Sequence, residues 1–273
     1  MNDWQDKVVV VTGGSAGLGL AIARAFGQVG CRVVVAGRDT QKLELAAAQL
    51  RASDVGDVLP IACDVTDDEA VAGLVEQTID AYGQLDVLVN NAGRSSRGVA
   101  WQTPLDDFQD LWELNCLAAI RTTQAAAERL IETRGHLVNI GSLSAKTGSP
   151  FLGAYPASKF ALAGASHQFR LELGPHGVHV LLVCPGPLQR DDAGQRYNQN
   201  AEGLPEAARK PGGGVKLKGV DPDVLARKIV RACERRQVEL VLPGKARWLF
   251  AIAQLWPQLG DWIIERSTSK TKS

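Results

Sequence analysis

Tyr155 and Lys159 stand four residues apart in the run Tyr155-Pro156-Ala157-Ser158-Lys159-Phe160-Ala161-Leu162. Four residues make slightly more than one helical turn, so on a helix both side chains project from one face. An ammonium beside a phenol favours the phenolate and draws the tyrosine pKa toward the range of a working general acid or base. Alone, the spacing is common by chance and is equally a solvated lysine beside a surface tyrosine. Pro156 adds a condition: a helix tolerates it only in the first turn.

The features upstream give the pair a context. Thr12-Gly13-Gly14-Ser15-Ala16-Gly17-Leu18-Gly19 follows the β-branched run Lys7-Val8-Val9-Val10-Val11 and precedes Leu20-Ala21-Ile22-Ala23-Arg24-Ala25-Phe26, which has helical periodicity. Strand, glycine turn and helix in this order are what a dinucleotide fingerprint requires. Here Gly13 turns the chain, Gly17 lets the backbone approach a pyrophosphate, and Gly19 lets the helix pack on the sheet. The helix N-terminus then offers unpaired amides to the anion.

The elements that must position these residues alternate. Strands are expected at 7–12, 31–36, 57–63, 85–90, 136–140, 178–184 and 238–242, and helices at 17–29, 40–52, 67–82, 105–133, 154–173 and 221–236. Strict alternation implies parallel strands joined by right-handed crossovers, in an α/β domain spanning 1–245. Segment 189–219 is polar, contains Gly212-Gly213-Gly214 and lacks periodicity, so it is expected to be a substrate loop.

Composition removes several classes of function. The chain has 273 residues, with 30 acidic and 30 basic side chains, so there is no electrostatic case for nucleic acid. Five scattered cysteines suit a reducing, cytoplasmic setting. The histidines, His136, His167, His176 and His179, form no zinc pattern, and no metal is expected. His176 and His179 flank a turn into a strand and are read as structural.

Residues 246–273 form an apolar extension with a basic tail. Trp248, Ile252, Leu255, Leu259 and Ile263 recur at helical spacing, while Pro257, Gly260 and Asp261 interrupt the run. It is shorter than the roughly twenty apolar residues that a span needs. Two readings stand: helices packed on the domain or a second subunit, which Pro257-Gln258 and Asp261 favour, or an interfacial membrane helix flanked by Lys245, Arg247, Arg266, Lys270 and Lys272.

Further motifs complete a family pattern: Asn90-Asn91-Ala92-Gly93 after Leu85-Asp86-Val87-Leu88-Val89, Asn115 in a helical run, Ser142 beyond Leu137-Val138-Asn139-Ile140, and Pro185-Gly186 after Val180-Leu181-Leu182-Val183. In order and spacing, residues 5–243 resemble the single-domain short-chain dehydrogenase/reductase family. That resemblance implies a doubly wound, Rossmann-like parallel sheet with helices on both faces. It makes Tyr155 the acid/base and Ser142 a hydrogen-bond donor to the substrate oxygen. Lys159 would tune Tyr155 and bind the nicotinamide ribose, and Asn115 would hold a water connecting Lys159 to solvent. Cofactor contacts are expected from Gly13, Ser15, Gly17, Leu18, Gly19, Arg38, Asp64, Val65, Asn91, Ala92, Gly93, Pro185 and Gly186, besides Tyr155 and Lys159. A homo-oligomer is also implied.

Cofactor choice is read at the end of the second strand, where an NAD enzyme places an acid on the ribose 2′-hydroxyl. Cys31 to Ala36 runs into Gly37-Arg38-Asp39, so glycine holds that position and Arg38 could clamp a 2′-phosphate. Asp39 is assigned to capping the next helix. NADP(H) is therefore expected over NAD(H). The chain departs from the family in having no threonine after Pro185-Gly186, where the nicotinamide carboxamide is usually bound. The expected activity interconverts a ketone and a secondary alcohol, on a substrate that is bulky or lipid-like. Two alternatives are a catalytically silent nucleotide sensor that regulates a partner, and a sugar-nucleotide epimerase. The complete Asn/Ser/Tyr/Lys set argues against the first. The chain is too short for the substrate domain of the second.

Overall fold

Val8, Val9, Val10 and Val11 are all buried, which requires the strand they form to be covered on both faces. The computed structural model, which describes residues 4–189, 203–209, 212 and 217–267, shows how. Strands β1 (Val8–Thr12), β2 (Arg32–Gly37), β3 (Val58–Ala62), β4 (Val87–Asn90), β5 (His136–Ile140), β6 (His179–Pro185) and β7 (Glu239–Leu242) form one sheet in the order β3-β2-β1-β4-β5-β6-β7. Every pairing is parallel.

The pleat sorts alternate residues into two cores. Val9, Val11, Val33, Val35, Val87 and Val89 pack with Ile22 and Phe26 of α1 (Gly17–Gly27), Leu43 and Leu50 of α2 (Thr40–Arg51), and Ile229 of α8 (Pro222–Glu234). Val8, Val10, Val34, Leu88, Leu137 and Val180 pack on the other face. There they meet Leu74 of α3 (Asp68–Tyr82), Leu130 of α5 (Ala118–Thr133) and Phe169 of α6 (Tyr155–Leu173). Each of these side chains contributes about 1.5–3 kcal/mol by leaving water. The strand order reverses between β1 and β4, so the loops that follow these strands diverge and open a crevice at their C-terminal ends.

The run expected as one helix over 105–133 is broken. Helix α4 (Leu105–Trp112) passes into a π-helical turn, Glu113–Leu117, before α5 begins. No proline or glycine marks the break. It follows from a tertiary contact of Asn115, described below, and such turns inside helices often mark functional sites. The expected loop at 189–219 lies largely outside the described residues. Within it the short helix α7 (Glu206–Arg209) is seen, and the Leu188–Val220 bridge joins the residues that flank it.

The C-terminal extension folds as two helices, α9 (Ala246–Leu255) and α10 (Pro257–Ser267). A Cβ at Gly260 would lie 2.6 Å from the Ala253 Cβ, so glycine allows the two helices to touch. The residues expected to recur at helical spacing, Trp248, Ile252, Leu255, Leu259 and Ile263, do not share one buried face, and the division falls at Pro257. Phe250 is the buried residue of α9, joining Val241 and Leu182, whereas Trp248 and Leu255 are 76% and 87% exposed. The new helix starting at Pro257 breaks the phase of the repeat.

Candidate active site

The β1–α1 loop is held by side chains as well as by glycines. Thr12 Oγ1 accepts from the amides of Asn91 (3.0 Å) and Ala92 (3.1 Å), and Asn91 Nδ2 donates to Thr12 O (3.0 Å) and Gly13 O (3.1 Å). Asn91 therefore binds one side of the crevice to the other. Gly13 and Gly17 have φ of 61° and 54°, a region that glycine enters without strain. Gly19 has a different role from the one its motif suggests. A Cβ there would sit 2.1 Å from Gly13 O and 2.6 Å from Asn91 Nδ2, so its bareness closes the loop and does not serve helix-on-sheet packing. The Ala16 cap of α1 makes no side-chain hydrogen bond and the first turn has no acid, leaving the helix N-terminus free to receive an anion.

Tyr155 opens α6 and Pro156 follows it in the first turn, where no intrahelical amide bond is lost. The positive end of the helix dipole lies at Tyr155 and favours its ionised form. One turn on, Lys159 is only 5% exposed and its Nζ donates to Ile140 O at 2.8 Å. Burial pushes its ammonium pKa down to about 8. Ser142, two residues beyond Ile140, accepts from the Ser144 amide at 3.1 Å, which leaves its own O–H hydrogen to donate elsewhere.

Asn115 lies behind these residues and is buried. Its Oδ1 accepts from Arg94 N (2.9 Å), and Nδ2 donates to Arg94 O (2.9 Å) and Ser158 Oγ (3.0 Å). Both amide hydrogens are engaged, so the side chain could meet a water serving Lys159 only through the second lone pair of Oδ1. Gly93 is wedged here: a Cβ would lie 2.7 Å from Asn115 Oδ1 and 3.6 Å from Lys159 Nζ. A second polar network ties the strands β4 and β5 to α6. Asn90 Nδ2 donates to Asn139 Oδ1 (2.9 Å), and Asn139 Nδ2 donates to Ser166 Oγ (2.9 Å) on α6. Sequence reasoning missed Thr12, Ser158, Asn139 and Ser166, whose only signal was the presence of polar residues within apolar stretches.

A cavity of ≈ 1230 Å³ joins these parts. Gly13, Gly17, Leu18, Gly19, Asn91, Ala92, Gly93, Ser142, Tyr155, Lys159, Pro185 and Gly186 all line it. Asn115 is not on its wall. Ser15, Arg38, Asp64 and Val65 are also not on the wall, and lie around the C-terminal ends of β1, β2 and β3. Arg38, 76% exposed in its side chain, lies 4.0 Å from Asp64 Oδ2. Asp64 Oδ1 accepts from Thr66 N (3.0 Å) and Thr66 Oγ1 (2.7 Å), and these bonds hold its carboxyl below the usual range. Asp39 does cap α2, accepting from Lys42 N at 3.1 Å. After Pro185-Gly186, the segment is pinned by Val220 N to Pro187 O (2.7 Å) and Gln189 N to Val220 O (2.8 Å), and offers no hydroxyl in place of the family threonine.

Apolar side chains form part of the cavity wall, beside the charged Arg94, Arg97, Asp221, Asp223 and Lys245. The apolar ones are Leu143, Leu152, Leu188 and Leu217, with Leu249, Phe250, Ile263 and Ile264 of the C-terminal helices. Ser149 also lines the cavity, and its buried hydroxyl has no hydrogen-bond partner among the described residues.

At the opposite end of β5 and β6, the structure gathers His136, His179 and Cys233, whose ligand atoms all lie within 4.8 Å of one another. No local spacing marks this cluster, because the three residues are far apart in the chain. The imidazoles are hydrogen-bonded: His136 Nδ1 to His179 Nδ1 at 2.9 Å, and His179 Nε2 to Gln237 O at 2.7 Å. A neutral His179 therefore donates from Nε2 and accepts at Nδ1 from His136.

The family model for short chain dehydrogenases matches residues 7–201. A dehydrogenase/reductase SDR family protein 7-like from Drosophila melanogaster is 28% identical over 284 residues, covering 100% of this chain and 83% of its own length. Among solved structures, a variant of actinorhodin polyketide ketoreductase with NADPH is similar at TM-score 0.76 and 29% identity, covering 89% of this chain and 97% of that one. L-sorbose reductase from Gluconobacter frateurii, complexed with NADPH and L-sorbose, gives a TM-score of 0.75 at 25% identity, covering 87% and 95%.

Proposed function

Because the chain belongs to the short-chain dehydrogenase/reductase family, we propose that it interconverts a ketone and a secondary alcohol using NADP(H), with a bulky, apolar substrate. The observation that carries this reading is one cavity shared by the glycine loop and by Ser142, Tyr155 and Lys159. The residues present fit a dinucleotide. The open α1 N-terminus suits its pyrophosphate, and Arg38, exposed just beyond β2, is the cation that would pair with an adenosine ribose 2′-phosphate. When bound, the nicotinamide supplies or accepts the hydride.

The remaining chemistry belongs to the chain. In reduction, Tyr155 donates its phenolic proton to the substrate oxygen as negative charge develops there. Ser142 donates a hydrogen bond to the same oxygen. Lys159, buried beside Tyr155, stabilises the phenolate that remains and returns the proton from solvent. Asn115 and Ser158 position this helix turn. In oxidation the same groups act in reverse.

The substrate preference is supported by Leu143, Leu152, Leu188, Leu249, Phe250, Ile263 and Ile264 on the cavity wall, and the unpartnered Ser149 hydroxyl is one group there that a substrate oxygen could meet. Exposed Phe160 and Leu171 on α6 support pairing with a second copy. The similar ketoreductase and sorbose reductase were both solved with NADPH, which supports the cofactor choice. The test is a panel of aliphatic, aryl and long-chain ketones, followed by NADPH absorbance. Turnover with a preference for longer apolar ketones is expected. A protein that binds NADPH tightly and turns over none of the panel would fit the silent nucleotide sensor instead.

A further inference from the structure

The C-terminal helices have two unlike sides. Inward, Leu249 and Phe250 of α9 and Ile263 and Ile264 of α10 form part of the cavity wall. Outward, Trp248, Leu255, Trp256 and Trp262 are exposed by 76%, 87%, 62% and 48%. Three large indoles and a leucine on one short hairpin are more than the scattered apolar exposure that a folded surface ordinarily shows.

Charge indicates what covers them. The chain as a whole balances 30 basic against 30 acidic residues. From residue 245 onward the balance changes: Lys245, Arg247, Arg266, Lys270 and Lys272 face only Asp261 and Glu265, a net of +3 from five cations and two acids. The rest of the chain is correspondingly negative. Arg266 stacks over the Trp262 ring at 4.1 Å, which places a cation and an indole at one depth. Tryptophan interleaved with Lys and Arg is the composition that settles at the headgroup level of a bilayer. Among the described residues, no helix is long and apolar enough to cross a membrane. Helices of 10 and 11 residues can only lie along its surface.

We propose that the α9–α10 hairpin docks on an anionic lipid bilayer, with Trp248, Trp256 and Trp262 in the headgroup region. Because the inner side of the same hairpin forms part of the cavity wall, docking brings the cavity next to the lipid, from which an apolar substrate can reach it. The docking does not depend on the reductase reading. Only the route of the substrate rests on it, so the two can fail separately.

The experiment is co-sedimentation of the full chain with vesicles of phosphatidylcholine containing about one third phosphatidylglycerol, against vesicles of phosphatidylcholine alone. The expected result is pelleting with the anionic vesicles, weakened by salt. The paired substitution Trp248→Ser/Trp256→Ser should reduce it at least about fivefold, and Arg266→Glu should also reduce it. Thermal midpoint and NADPH binding should stay unchanged in these variants, since neither tryptophan lines the cavity. Three results would overturn the proposal: no pelleting with either vesicle, equal pelleting by the tryptophan variant, or a dimer in vesicle-free light scattering that the variant loses while vesicle binding is absent.

Discussion

The Asn115 side-chain amide donates to the Ser158 hydroxyl at 3.0 Å, and that hydroxyl donates in turn to Tyr155 O at 2.8 Å. This relay joins the π-helical turn to the first turn of the catalytic helix. Ser158→Ala removes both bonds and leaves one Asn115 N–H without its partner, at about 1–3 kcal/mol of stability. We expect kcat to fall severalfold with little change in KM, because Tyr155 is displaced while the cavity is intact. Stability by denaturant titration and steady-state kinetics check this. An unchanged kcat would show that the relay does not position Tyr155.

Lys159 makes stability depend on pH in the alkaline range. Its unfolded pKa is near 10.5 and its folded pKa about 8, chiefly from burial. Between these values the unfolded chain binds the extra proton, so stability rises with pH across this window. Below it both states are protonated and the burial penalty is fully present. Lys159→Met lacks this term. The stability of wild type relative to the variant should therefore rise by on the order of 3 kcal/mol between about pH 8 and 10.5, in cofactor-free protein. The variant should also lose turnover and bind NADPH more weakly.

Much of the fold was legible because β-strands buried on both faces write continuous apolar runs, such as Val8–Val11, and helices write their own period. The π turn at Asn115 was not, since it arises from a contact with the Arg94 backbone that no local pattern encodes. The roles of Gly19 and of Asn91 were hidden for the same reason: both act on Gly13, one within the loop and one from across the crevice. In the tail, periodicity located the helices but misidentified the anchor, because Pro257 resets the phase between Leu255 and Leu259. Phe250, outside the expected stripe, is the residue that packs.

Arg38→Ala should weaken NADPH far more than NADH, by about 1.5–3 kcal/mol for the loss of a charged hydrogen bond. That is roughly a ten- to hundredfold change in Kd. Titration calorimetry with both cofactors reads it. Equal losses would place Arg38 away from the 2′-phosphate, and a wild type preferring NADH would refute the cofactor assignment.

The His136–His179 pair should govern an acid limb. Burial, then the charge of His179, holds His136 down to about 3, and burial also lowers His179. Unfolded histidine titrates near 6.5, so below that value the unfolded chain binds more protons and stability falls as pH drops toward 3. His136→Asn should flatten this limb between about pH 6.5 and 4 in thermal melts. An acid limb of unchanged slope would mean that other groups control it.

Tyr155→Phe tests the central claim most directly, because it removes one oxygen and its transferable proton while leaving the ring that packs at the start of α6. With the best ketone from the panel, the account predicts a loss of turnover of about a hundredfold to ten-thousandfold, with NADPH affinity nearly unchanged. Retention of the wild-type rate by the phenylalanine variant would contradict it.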